Sequence, residues 1–100
     1  MTDSPIPASN RTILVVDDNP DIVDILRIML ESNGFNVRCG YSGEDLFASL
    51  KEQMPDLILL DIMMPKMDGL QVLRRLKEDP SMPFIPVILL SAKVLDEDVL

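Results

Sequence analysis

The 100-residue sequence has no histidine, no tryptophan and one cysteine, Cys39. A lone cysteine cannot close an internal disulfide, and this composition cannot build a zinc site of the usual Cys and His ligands. Cys39 falls in a strand-like segment, where a buried and inert thiol is expected. Aromatic residues are only 4% of the chain, so Leu, Ile, Val and Met must fill the core. No apolar run approaches the ~18 residues of a membrane span. The first residues, Met1 to Pro7, lack the basic and apolar regions of a secretory signal. A cytoplasmic protein away from the membrane is the resulting expectation. Basic residues are also few, 9 against 17 acidic ones, for a formal net charge of −8. Such a chain repels phosphate backbones, so direct nucleic-acid binding is not expected. The one basic cluster, Arg74, Arg75 and Lys77, is interleaved with apolar residues and reads as a solvated helix face.

What the chain does have is a 47% hydrophobic fraction, enough for one modest core, and a length that fits one domain. Residues 1–11 read as a flexible lead-in with two prolines, and the domain as residues 12–100. Strands are predicted at Ile13 to Asp17, Phe35 to Cys39 (an edge), Asp56 to Asp61 and Pro86 to Ser91. The first helix has Asn19 as its cap, Pro20 at its first position and Asn33-Gly34 as its stop. Its expected stripe is Ile22, Val23, Leu26, Met29 and Leu30. The second opens at Ser42-Gly43-Glu44-Asp45, an approximate capping box, and buries Leu46, Phe47 and Leu50 before Pro55 ends the segment. The third is capped by Asp68, runs through Gly69, Leu70, Leu73 and Leu76, and stops at Pro80. An acidic helix is expected from Val94. This βαβαβαβα order, with room for one crossover helix between strands, argues for a parallel sheet with helices on both faces.

Three of the apolar runs end on chemistry. Asp17 and Asp18 follow Ile13 to Val16, Asp61 follows Leu57 to Leu60, and Ser91 follows Val87 to Leu90. In an open parallel sheet, ligands bind at the carboxyl ends of strands near a topological switch point. Each residue alone has a plainer use. Asp17-Asp18 suits the positive end of the helix that follows, Asp61 a turn, and Ser91 a helix cap. Together, acidic ends on neighbouring strands repel unless a cation lies between them. Three carboxylates form a hard-oxygen set suited to magnesium and, through it, to a phosphoryl group. A carboxylate can itself take a phosphoryl group covalently, which makes Asp61 a candidate acceptor, and the Ser91 hydroxyl can donate to a phosphate oxygen.

These residues carry a resemblance. Val15-Val16-Asp17-Asp18-Asn19-Pro20, the run from Asp56 through Asp61, Pro65 and Asp68 to Gly69, and Val87 to Lys93 resemble the receiver domain of bacterial two-component response regulators. The resemblance implies a flavodoxin-like, doubly wound α/β fold with strand order 2-1-3-4-(5). It implies Asp61 as phosphoacceptor, with a histidine kinase or phosphotransfer protein as donor. It implies a Mg2+ site of Asp17, Asp18, Asp61 and the Met63 backbone carbonyl, with Ser91 as the switch hydroxyl and no further cofactor. Ala92 is small, as the family prefers there. The family also carries a Lys and an aromatic residue on a fifth strand. This sequence ends at Leu100, so the domain is expected to be cut within its fourth helix, without the fifth strand and fifth helix. An output domain or downstream protein is the expected target. The fourth strand, left as an edge, is expected to associate as a dimer or by strand exchange. A catalytic turnover is not expected. A phosphatase with an aspartate nucleophile wants a second acid two residues on, where this chain has Met63. The remaining alternative is a receiver-fold interaction module that works without phosphorylation.

Overall fold

The computed structural model describes residues 11–90. Strands and helices alternate as β1 (Thr12–Val16), α1 (Pro20–Ser32), β2 (Asn36–Gly40), α2 (Gly43–Glu52), β3 (Leu57–Asp61), α3 (Gly69–Glu78) and β4 (Val87–Leu90). The four strands form one sheet in the order 2-1-3-4, and every pairing is parallel. This is the flavodoxin-like arrangement expected. The chain steps from β1 to β2 on one side, then crosses back over β1 to β3 and on to β4. Right-handed crossovers in opposite directions put their helices on opposite faces. Leu14, Val16, Ile58 and Leu60 therefore pack with Leu46, Leu50, Val72 and Leu76 under α2 and α3. Ile13, Val15 and Leu59 pack with Val23 under α1.

The helix ends follow their side chains. The Asn19 side chain accepts the Asp21 amide at 2.9 Å, and Pro20 opens α1. Gly34, at φ 91°, supplies the left-handed turn that ends it. Ser42 accepts the Asp45 amide at 3.0 Å, while the Asp45 carboxylate takes the Tyr41 amide at 2.8 Å, one residue before the cap. Asp68 and Gln71 form a full capping box on α3.

Several expectations are corrected. β1 begins at Thr12 and stops at Val16, so Asp17 lies just past it; β2 is shifted to Asn36–Gly40; and β4 starts after Pro86. In α1, Val23 alone is fully buried, and Met29 is 57% exposed beside Ile25 and Ile28. Leu26 and Leu30 pack beside Val23 as expected and Ile22 is half-buried, so Met29 alone leaves the expected stripe. In α3 the buried line is Gly69, Val72 and Leu76, and Leu70 is 49% exposed. Phe47 is half-buried rather than core. Cys39 is also half-buried, and desolvation pushes its thiol up, as suits an inert one. Arg74, Arg75 and Lys77 are exposed, as expected of a solvated face. Among the described residues, no helix is long and apolar enough to cross a membrane. Ser91, Ala92, Lys93 and the helix expected from Val94 lie outside the described residues.

Candidate functional site

Parallel strands end together, and the register sets how. Val16 of β1 lies between Gly40 of β2 and Leu60 of β3, so the next positions, Asp17 and Asp61, finish at the same edge. The Asp17 amide extends the ladder by donating to the Gly40 carbonyl at 3.2 Å. Each of the two acids is then turned by its own backbone. Asp17 Oδ1 accepts the Asn19 amide at 2.9 Å, and Asp61 Oδ1 accepts the Met63 amide at 3.2 Å. Asp17 and Asp61 are buried and Asp18 is exposed. One carboxylate oxygen from each of Asp17, Asp18 and Asp61 lies within 4.8 Å of the others.

Crowding raises proton affinity. Desolvation, followed by the charge of Asp17 and then that of Asp18, pushes Asp61 up to about 6, against the pull of the Met63 amide. Asp17 is also raised, chiefly by burial and then by Asp18, while its bond from the Asn19 amide pulls the other way. Two sunken carboxylates and one exposed one, all within reach of a single point, fit a small hard divalent cation. Magnesium prefers one or two carboxylates plus waters and substrate oxygens to a closed protein cage. Asp17, Asp18 and Asp61 are the side chains that would hold it.

The loop after Asp61 is closed on itself. The Ile62 carbonyl accepts both the Met64 amide at 3.2 Å and the Gly69 amide at 2.9 Å. At its tip the Met67 amide donates to Pro65 at 2.7 Å across Lys66, whose φ of 70° makes this a γ-turn. The structure thus brings together Asp17, Asp18 and Asp61, and of Met63 it places the amide on Asp61 Oδ1. Sequence reasoning treated Gly69 only as part of a motif. The clue to more was its place beside a capping Asp, where glycine is a poor helix former and needs a reason.

Comparison with known proteins agrees with this geometry. Residues 13–100 match the response regulator receiver domain family. The response regulator GtcR of Aneurinibacillus migulanus is 38% identical over 89 residues, which is 89% of this chain and 36% of that protein. The chain therefore spans about a third of that relative. Among solved structures, the N-terminal domain of a response regulator receiver protein from Methanoculleus marisnigri JR1 is 51% identical with a TM-score of 0.79, over 83% of this chain and 68% of that one. The signal receiver domain of a signal transduction histidine kinase from Syntrophus aciditrophicus is 39% identical with a TM-score of 0.75, over 80% of this chain and 61% of the other. With matching sequence, strand order and fold, the chain belongs to the response regulator receiver domain family of two-component systems.

Proposed function

We propose that Asp61 takes a phosphoryl group from a histidine kinase or phosphotransfer protein in a magnesium-dependent reaction, and that the adduct shifts the domain to control an output. The convergence of Asp17, Asp18 and Asp61 within 4.8 Å is the observation that supports this. Asp61 is mostly ionised at neutral pH, since it titrates at about 6. Its Oδ1 is occupied by the Met63 amide, which leaves Oδ2 to attack phosphorus. The bond from phosphorus to the donor imidazole nitrogen breaks, and the imidazole keeps the electron pair. Magnesium, when bound, would neutralise the oxygens of the incoming group. Asp17 and Asp18 hold their charges opposite Asp61 and so define where that group enters. Ser91, next after β4, would donate its hydroxyl hydrogen to a phosphoryl oxygen and couple the adduct to that strand end. The module stores the group rather than turning over a substrate, and it works in the cytoplasm on a C-terminal output domain or a downstream protein.

Incubation with acetyl phosphate and magnesium, followed by mass spectrometry, tests the reading. One adduct on Asp61 that is lost in Asp61→Asn is expected. Label on Asp17, Asp18 or Ser91 would overturn the assignment, turnover without an adduct would indicate a phosphatase, and no label would favour a phosphate-independent interaction module. Association through β4, where Ile88 is 51% exposed, is a separate proposal for the 100-residue chain. A monomer of 11.2 kDa by light scattering would remove it.

A further inference from the structure

Gly69 opens α3 with its amide on the Ile62 carbonyl. Its backbone gives no reason for glycine, because Gly34 is the only described glycine with a positive φ. The reason is space. A Cβ at position 69 would fall onto the Asp61 carbonyl oxygen, 2.9 Å from the Ile62 Cα and 3.0 Å from the Asp61 carbonyl carbon. At Gly43 the nearest atoms belong to side chains, Met67 Sδ at 3.0 Å and Val72 Cγ2 at 3.1 Å, whereas at Gly69 they are backbone and closer. Nor can α3 retreat freely. Val72 is fully buried, Leu76 nearly so, and the Asp68–Gln71 capping box locks the first turn. β3 is fixed through β1 and β4, and the Ile62 amide still donates to Leu90 at 3.1 Å.

We infer that Gly69 is a positioning residue of the acidic site: its missing side chain seats the start of α3 on the Asp61–Ile62 backbone and so fixes Asp61 relative to Asp17 and Asp18. The inference rests on the reading of that site as a metal-assisted phosphoacceptor. Any side chain at 69 pushes on the short segment that carries Asp61 Oδ1 and the Met63 amide. Alanine is otherwise the better helix residue, so without this close approach Gly69→Ala would stabilise α3.

The test measures manganese(II) binding by EPR, as a stand-in for magnesium, in the unmodified chain, in Gly69→Ala and in Val72→Ala. Val72→Ala loosens the same helix without pressing on the Asp61–Ile62 backbone. Folding of each is followed by circular dichroism, with sucrose added to restore any lost folded fraction. Gly69→Ala, folded, should bind manganese about 10- to 100-fold more weakly, as loss of an outer support does. Val72→Ala, folded, should stay within about twofold, because it removes volume beneath the helix and puts no atom against the Asp61–Ile62 backbone. Equal binding by folded Gly69→Ala would overturn the inference and leave the metal site standing. A Gly69→Ala chain that does not fold even in sucrose would also overturn it, since Gly69 would then be a folding residue. If the unmodified chain binds no manganese, the metal reading itself falls, and the inference with it.

Discussion

Asp17 and Asp61 are held in the same way, each with its Oδ1 on an amide two residues further along. The acids themselves are legible in sequence, because a carboxylate set directly after a wholly apolar run stands out from the buried strand that carries it. The amides of Asn19 and Met63 are not, since any residue but proline carries one. Asp17→Asn keeps an oxygen for the Asn19 amide and removes a charge from Asp61. The metal-free chain should become more stable, because the repulsion between the two is gone, and should lose most of its response to magnesium. Urea melts with and without magnesium check both. Lys66 stands apart, as a side chain with positive φ at the centre of a γ-turn, a strained conformation that glycine adopts more freely. Lys66→Gly should stabilise the chain by about 1 kcal/mol, seen as a higher urea midpoint at unchanged slope.

At the scale of elements, the caps were readable, and so was the buried face of α2 through Leu46 and Leu50, but the face of α3 was not. Asn19, Ser42 and Asp68 have side chains that bond the free amides of a first turn, and each does so. The phase of α3 depends on what it rests upon. Leu70, Leu73 and Leu76 look like a stripe, but Gly69 sits on the end of β3 and turns Val72 inward with Leu76. That close approach is a tertiary fact, and it carries no signal in the spacing of apolar residues. Two substitutions separate the phases. Val72→Ala should cost about 2 kcal/mol, because it empties a fully buried site. Leu70→Ala should stay within about 0.5 kcal/mol, as exposed positions do. Equal losses in denaturant melts would contradict the burial of Val72 and the exposure of Leu70. In α1 the same limit applies: the exposure of Ile25, Ile28 and Met29 depends on what covers that face, which the helix's own sequence does not record.

For the whole molecule, alternation of strand and helix patterns was enough to foresee the parallel sheet and its order once the resemblance was seen. The acidic site is then a consequence of topology, because neighbouring parallel strands cannot end in carboxylates without bringing them together. Its stability effect has a definite sign. Below about pH 4, Asp61 is protonated in both folded and unfolded chains, its ordinary value being 3.8. Between there and about 6, the folded chain keeps a proton that the unfolded chain has lost, so stability falls as pH rises. Above about 6 the full repulsion is present. Asp17, also raised, acts in the same direction. Asp79, held low by Ser81, acts oppositely, but it is fully exposed and weak. Magnesium reverses the effect by binding the ionised cluster only in the folded chain, and should add about 1.4 kcal/mol at ten times its Kd. The gain should be full near pH 7.5 and fade toward pH 5, where protons compete for Asp61. Urea melts at the two pH values, with and without magnesium, should show this in the unmodified chain and not in Asp18→Ala/Asp61→Ala. A magnesium gain equal at both pH values, or retained in the double variant, would place the ion elsewhere and leave the three carboxylates without a bound cation to offset their repulsion.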